Sequence, residues 1–214
     1  MRGISTTIVA IASAAALALA ASSSAAVDFS AAEKDRLAAG KTVRKPLAKS
    51  GENGFYAGSS YALVDAQVGA VWAAITDWSS YPKIHPKTRE VTEVASRGDS
   101  RLVKMVLGHE LISVEYHMQV DLEADEHVLR FSLAKSRPHD IVDSRGYWRL
   151  FPQGDGRTLV AYVVAARAPM GVINLLPDRL SAKIERALLG VPGRLKRWVE
   201  GPSGTRYRTL TASR

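Results

Sequence analysis

The chain has 214 residues, and 46% of them are hydrophobic, which is enough for one domain of ordinary size with a single core. The absence of cysteine excludes disulfide scaffolds, thiolate metal sites and an anchor that needs a lipid-modified cysteine. The formal net charge of +8 makes an anionic partner a candidate, whether nucleic acid, anionic lipid or an acidic protein.

Residues 1–26 have the pattern of a secretory signal peptide. Arg2 supplies a positive charge, residues 8–21 are uncharged and rich in alanine, and small residues follow, so cleavage is expected after Ala20 or Ala26. A retained anchor helix is the alternative, but a membrane span needs about 20 strongly apolar residues, and this stretch has mostly alanine and serine. We therefore expect a periplasmic or secreted protein with no nucleic-acid partner. Its positive charge is then expected either to contact membrane headgroups or to keep the protein soluble.

Three further segments follow along the chain. Ser30 and Glu33 form a capping box for a helix that runs to residue 39, with Gly40 as its stop. The basic, polar stretch 41–54 is expected to be partly extended, so residues 27–54 are an N-terminal helix and lead-in. The main domain is predicted over residues 55–200, and residues 201–214 are predicted to be a loose polar tail.

The segment 66–86 combines two short helical pieces with large rings. A helix is predicted over residues 66–75 because apolar residues recur at helical spacing there: Val68, Val71, Trp72 and Ile75. Asp77 stands where its carboxylate can cap a following short turn of helix. Trp78 and Tyr81 supply two rings in that turn, and prolines at 82 and 86 stop any longer helix.

Alternation of apolar and polar residues, interrupted by turn residues, predicts a series of strands. In residues 111–122, for example, Tyr116 and Met118 share the apolar face, whereas Glu115 and His117 share the face assigned to solvent. Consecutive strands with one apolar face indicate an antiparallel sheet covered on one side. The predicted strands are 56–64, 88–96, 101–107, 111–122, 128–134, 142–150 and 158–166.

The last element is a helix that begins near Pro177. Its apolar residues follow steps of four and three: Leu180, Ile184, Leu188, Val191, Leu195 and Trp198. The helical spacing of the apolar residues continues past Gly190, Pro192 and Gly193. This predicts one bent helix or two collinear pieces. The opposite face is basic, and it is either a docking surface for anionic lipid or an ordinary solvated face. Its basic residues are Arg179, Lys183, Arg186, Arg194, Lys196 and Arg197.

The pairs Val71-Trp72, Asp77-Trp78 and Tyr81-Pro82, together with the order of elements over residues 55–200, resemble the START-like superfamily (SRPBCC, polyketide cyclase and lipid transport). The resemblance implies an α+β helix-grip fold. In this fold an antiparallel sheet wraps around a long C-terminal helix, and two short helices follow the first strand. It also implies an apolar cavity, with the loop 169–177 helping to gate its mouth. The alternative for this loop is a simple connection to the last helix.

The resemblance places a set of large side chains around that cavity as the candidate ligand-binding residues. The alternative is that the same residues fill a solid core, as apolar faces usually do. The candidate ligand-binding residues come from the short helical turn, the sheet and the last helix. They are Trp78, Tyr81, Tyr116, Met118, Phe131, Leu133, Trp148, Leu180, Ile184 and Leu188.

Signs of catalysis are weak. His85 could border the cavity mouth, and His139 lies beside acidic residues in a predicted loop, where such clusters are usually solvated. No metal-ligand spacing, nucleophile elbow, phosphate loop or dinucleotide fingerprint is present, so no metal, cofactor or catalytic residue is predicted.

The sequence therefore leaves three functions as hypotheses. The first is periplasmic binding or transfer of a hydrophobic small molecule, such as a lipid, isoprenoid or polyketide, with membrane contact through the basic C-terminal helix. The second is a cyclase, dehydratase or aromatase acting on a polyketide-like substrate, with Tyr116, His85 or His139 as acid or base; whether the protein is an enzyme stays open, with binding favoured. The third is an interaction or stress protein with a filled core that uses only its surface.

Overall fold

A computed structural model of the protein describes residues 27–48, 50–85, 87–109, 112–169 and 178–212. The predicted leader, residues 1–26, lies outside the described residues. So does the predicted gating loop 169–177, apart from its first residue. No helix in the described part of the chain is both long and apolar enough to cross a membrane.

The described residues contain one antiparallel sheet of eight strands, in the order β1-β2-β8-β7-β6-β5-β4-β3. From β2 to β8 the strands match the predicted series to within two residues at each end. They are β1 (Val43–Pro46), β2 (Phe55–Val64), β3 (Thr88–Arg97), β4 (Ser100–His109), β5 (Ile112–Glu123), β6 (Val128–Leu133), β7 (Asp143–Pro152) and β8 (Thr158–Arg167).

Six α-helices accompany the sheet in the described ranges, with short 3₁₀ turns at Glu52–Gly54, Trp78–Ser80 and Pro202–Gly204. They are α1 (Ala31–Ala38), α2 (Val68–Thr76), α3 (Tyr81–Ile84), α4 (Asp178–Leu188), α5 (Val191–Glu200) and α6 (Thr205–Ala212). The predicted α+β helix-grip fold, with two short helices after the first long strand and C-terminal helices on the sheet, is confirmed.

The main core lies between one face of the sheet and helices α2 and α5. Val71 and Ile75 of α2, Leu195 of α5 and Trp148 of β7 are almost completely buried in it. Because successive strand residues point to opposite faces, the alternating pattern found in the sequence places one apolar set here.

The opposite face of the sheet carries a smaller core beneath α1, in which Phe29 and Leu37 pack against Val43, Tyr61 and Ala161. The capping box of Ser30 and Glu33 starts α1 as predicted. The predicted boundary at residue 55 is wrong in one respect: β1 lies within the predicted lead-in and pairs with β2 as the edge strand of the same sheet. The N-terminal segment is therefore part of the folded domain.

The C-terminal helix is divided into α4 and α5, which is one of the two forms that the sequence predicted. The break falls at Leu189 and Gly190, just before Pro192 at the start of α5. A proline nitrogen has no hydrogen to donate, and its ring would clash with the carbonyl one turn earlier in a continuous helix, so a new helix begins at this point.

The predicted polar tail, residues 201–214, is wrong over most of its length, because α6 is a helix that contacts α2. Tyr207 is only 3% exposed. Its hydroxyl donates to Asp77 Oδ2 at 2.8 Å, and Arg206 Nη2 donates to the same oxygen at 2.7 Å. These contacts join residues about 130 positions apart, which local patterns do not reveal.

Replacing Tyr207 with alanine tests whether α6 is an integral part of the domain. Tyr207→Ala is expected to lower the free energy of unfolding by about 3 kcal/mol, as for other buried aromatic side chains. The matched control Ser203→Ala, at an exposed position in the preceding turn, is expected to change it by less than about 0.5 kcal/mol. Urea unfolding measures both, and equal effects would show that α6 contributes nothing to stability.

Candidate functional site

A cavity of about 290 Å³ lies between the inner face of the sheet and the C-terminal helices. This volume is near the lower end of small-molecule pockets, roughly 300–1,000 Å³, and about twice that of an engineered apolar cavity that binds benzene. The lining is mostly aliphatic and aromatic. Lys87, an exposed residue, lines it too, so the cavity reaches the surface there.

The sheet supplies most of the wall through alternate residues of adjacent strands. Val103 and Met105 of β4 lie beside Tyr116 and Met118 of β5, since Met105 pairs with Tyr116 and Val103 with Met118. Alternation directs all four side chains to the same face. The apolar half of each strand thus becomes part of the cavity wall.

Gly146 makes room for an aromatic part of that wall. It pairs with Phe131 of β6, and a Cβ at position 146 would lie 2.6 Å from Phe131 Cζ and 2.1 Å from the Val163 carbonyl oxygen. Phe131 stacks at 6.0 Å on Tyr162, which in turn lies 4.5 Å from Trp148 between ring centroids. Glycine at position 146 therefore allows the close approach on which this group of rings depends.

The short turn after α2 closes the cavity on another side. Asp77 caps it by accepting from Ser79 N at 3.0 Å, as the sequence predicted. Tyr81 donates its hydroxyl to the Ile75 carbonyl at 3.0 Å, and Trp78 Nε1 donates to Glu93 Oε2 at 2.8 Å. Burial alone would raise the pKa of Asp77, but hydrogen bonds from Ser79 and Tyr207 and the Arg206 charge hold it below its ordinary value.

His85 lies against this aromatic wall. Its ring stacks on Tyr81 at 4.7 Å and meets Trp148 and Tyr162 edge-on at 6.3 and 6.4 Å. Its Nε2 is buried and has no hydrogen-bond partner among the described residues. Burial, with a smaller contribution from the Arg194 charge, lowers the pKa of His85 to about 3, so the imidazole is neutral at physiological pH.

Three tyrosines add further polar groups to the wall, beside His85, Ser144 and Lys87. Burial raises the pKa values of Tyr81, Tyr116 and Tyr162, so all three phenols remain protonated. The hydroxyls of Tyr116 and Tyr162, unlike that of Tyr81, make no hydrogen bond to the described residues. The cavity thus contains neutral hydrogen-bonding groups within an apolar lining.

Most of the predicted ligand-binding residues line this cavity: Trp78, Tyr81, Tyr116, Met118, Phe131, Trp148, Ile184 and Leu188. Leu133 does not line it, although it is buried at the end of β6. Leu133 shares a face with Phe131 but lies two residues further along the strand. The side chain of Leu180 lies outside the described residues.

Sequence reasoning missed several lining residues, although their signal was present. Tyr162 and Val164 alternate along β8 in the same way as the residues that were selected on β5 and β6. Ala187 follows the helical spacing of α4 but is small. The missed residues include Val103, Met105, Leu107, Val120, Leu129, Ser144, Tyr162, Val164, Ala187 and Val191.

Two other histidines lie away from the cavity. His117 was predicted to face solvent, which is wrong, because it is 9% exposed and its Nδ1 lies 3.1 Å from the Pro138 carbonyl oxygen. Residues 134–140 fold back over this part of β5. His139 is exposed, and its Nδ1 lies 2.8 Å from the Ile141 carbonyl oxygen, so it lacks contact with the cavity.

The basic face of the C-terminal helices is less continuous than predicted. Lys196 donates to Glu200 and to the Leu63 carbonyl, and Arg194 Nη1 donates at 3.0 Å to the Ala187 carbonyl at the end of α4. Arg194 therefore satisfies a carbonyl left unpaired where α4 ends. Among the described side chains of this face, the exposed cations are Lys183, Arg186 and Arg197, and the side chain of Arg179 lies outside the described residues. The described residues contain no group of three acidic or histidine side chains placed to hold a metal ion.

The sequence of residues 59–200, more than half of the chain, matches the family described as polyketide cyclase / dehydrase and lipid transport. The chain belongs to this family. The match extends from β2 to the end of α5 and includes the described residues that line the cavity. Comparison with curated protein sequences gave no significant match.

Solved structures share the fold of this chain. A STAR-related lipid transfer protein of Xanthomonas axonopodis is 10% identical, with a TM-score of 0.54 over 74% of this chain and 99% of that chain. The Zhui aromatase/cyclase of a Streptomyces species is 18% identical, with a TM-score of 0.50 over 69% and 97%. A protein of Thermus thermophilus is 16% identical, with a TM-score of 0.55 over 73% and 98%. At such identities these likenesses establish the fold alone.

The depressed pKa of His85 predicts a specific loss of stability in acid. Below pH 6.5 the unfolded chain protonates this histidine while the folded protein does not, so stability falls as pH falls towards about 3. Between pH 6.5 and 5 the loss from this group is expected to be about 2 kcal/mol, from roughly 1.4 kcal/mol per pH unit.

The variant His85→Phe is expected to lack this part of the pH dependence, as measured by urea unfolding at the two pH values. Trp148→Phe is the matched control, because it weakens the same aromatic cluster but keeps the histidine, and so retains the wild-type slope. An unchanged slope in His85→Phe would contradict the assignment of His85 as a buried neutral group.

Proposed function

We propose that the protein binds and carries a hydrophobic small molecule, lipid, isoprenoid or polyketide-like, in the cavity beneath its C-terminal helices. The observation that supports this most directly is the largely apolar space of about 290 Å³ between the sheet and the C-terminal helices. Protein interiors are normally close-packed, so retained space of this size carries a cost in stability. Burial of an apolar ligand there would gain roughly 25 cal/mol per Å² removed from water.

The second candidate is cyclase, dehydratase or aromatase chemistry, since the cavity holds His85 and Tyr116, two of the groups considered from the sequence. An efficient general acid or base has a pKa near the working pH. Here burial moves both pKa values further from neutral pH: it lowers the pKa of His85 and raises that of Tyr116. His85 is therefore a weak base and Tyr116 a weak acid. The electrostatics therefore favour binding over proton transfer.

We place this binding outside the cytoplasm, in the periplasm or the medium, because of the signal-peptide pattern in residues 1–26. Contact with an anionic membrane surface is the proposed route of loading. The exposed cations Lys183, Arg186 and Arg197 on α4 and α5 support it, and each basic residue near such a surface contributes up to about 1 kcal/mol.

Filling the cavity tests the proposal. Ala187 lines the cavity from α4, whereas Ala182 lies on the exposed side of the same helix. Ala187→Phe is expected to weaken binding of the neutral fluorescent probe N-phenyl-1-naphthylamine by at least about tenfold, because the new ring takes up the space the ligand needs. Ala182→Phe adds the same ring to the same helix and is expected to bind the probe as the wild type does.

Fluorescence titration at pH 7 measures the affinities, and thermal unfolding checks that both variants are folded. Equal affinity in the two variants would contradict the cavity as the binding site, and the absence of any binding to the wild type would contradict the proposed function.

A further inference from the structure

We propose that His85, Tyr116 and Tyr162 form a subsite for one uncharged hydrogen-bonding group of the ligand, a hydroxyl or a carbonyl. The inference rests on the proposed function and narrows it: the cargo is an apolar molecule that carries a neutral oxygen, and it is not a fatty acid or another anion. We refer to these three residues as the neutral polar cluster.

The polar atoms of this cluster have no hydrogen-bond partner among the described residues. His85 Nε2 is fully buried and unpaired. The hydroxyls of Tyr116 and Tyr162, which line the cavity, also bond to no described residue, but they are not fully buried. Buried polar groups are almost always paired, because leaving one unpaired costs the free energy of its desolvation. Tyr81 provides the contrast within the same wall, since its hydroxyl is paired with the Ile75 carbonyl.

Two rings of the cluster, those of His85 and Tyr162, are held by aromatic neighbours. Tyr81 stacks on His85 with an interplanar angle of 11°, and Phe131 stacks on Tyr162 with an angle of 25°. Trp148 contacts both His85 and Tyr162. This packing restricts the two rings, so their polar atoms are preorganised for a group that enters the cavity.

The lining of the cavity offers little charge to a ligand. Among the described lining residues no side chain is acidic, and the single cationic one, Lys87, is exposed. Arg194, whose charge acts on His85, is not a lining residue, and its Nη1 donates to the Ala187 carbonyl. An anion in the cavity would lose its hydration without a buried cation to compensate, whereas a hydroxyl or carbonyl needs only the hydrogen bonds that the cluster offers. The chemistry of the lining therefore selects a neutral oxygen.

Three naphthalenes that differ in one substituent test this inference: 2-naphthol, 2-methylnaphthalene and 2-naphthoate. Each competes with N-phenyl-1-naphthylamine for the wild-type protein at pH 7. 2-Naphthol is expected to bind about tenfold more tightly than 2-methylnaphthalene, because the methyl group leaves the cluster unpaired, and 2-naphthoate is expected to bind most weakly.

Conservative variants locate the effect. The double variant Tyr116→Phe/Tyr162→Phe removes two unpaired hydroxyls and is expected to lower the preference for 2-naphthol to less than about threefold, while 2-methylnaphthalene binds as well as before. Tyr81→Phe removes a hydroxyl that is already paired and is the matched control. It is expected to keep the full preference and to lose some thermal stability, because it leaves the Ile75 carbonyl without its donor.

The outcomes separate the two proposals. Binding of all three naphthalenes with no preference for 2-naphthol, or a preference for 2-naphthoate, overturns the neutral polar cluster but leaves cavity binding in place. A preference that survives in the double variant also overturns the assignment to these tyrosines. Failure of the probe and of every naphthalene to bind overturns the proposed function and this inference together.

Discussion

The part of the cavity wall formed by Trp78 and Tyr81 depends on the carboxylate of Asp77. One of its oxygens caps the turn that carries Trp78 and Tyr81, and the other accepts hydrogen bonds from Arg206 and Tyr207 of α6. A single side chain thus fixes the local geometry of the wall and attaches the end of the chain to it. Helix α6, none of whose described residues lines the cavity, is in this way coupled to the residues that do.

The same wall shows a compromise between stability and binding. Glycine at position 146 and the large rings of Phe131, Tyr162 and Trp148 give close aromatic packing on the sheet, yet the helices above do not fill the remaining space. Retained space and the unpaired Nε2 of His85 both cost free energy in the empty protein. Under the proposed binding function, a ligand with matching shape and polarity would offset both costs.

Much of the fold followed from local patterns, because alternation identifies strands and the face each side chain occupies. Asp77 was recognisable as a cap for the same reason: its role is local. Alternation does not tell how far along a strand the helices leave open space, so Leu133 was included and Tyr162 was missed. The burial of His117 and of Tyr207 depends on partners distant in the sequence, and such long-range contacts leave no periodic signal.

The most direct test of the account is native mass spectrometry of the protein purified from the cells that produce it, with organic extraction of whatever is bound. The account predicts a discrete adduct that extracts as an apolar compound with a hydroxyl or carbonyl group, and that is lost from Ala187→Phe. A mass equal to the bare chain, with no uptake from a total lipid extract of the same cells, would contradict the claim that the cavity is a binding site.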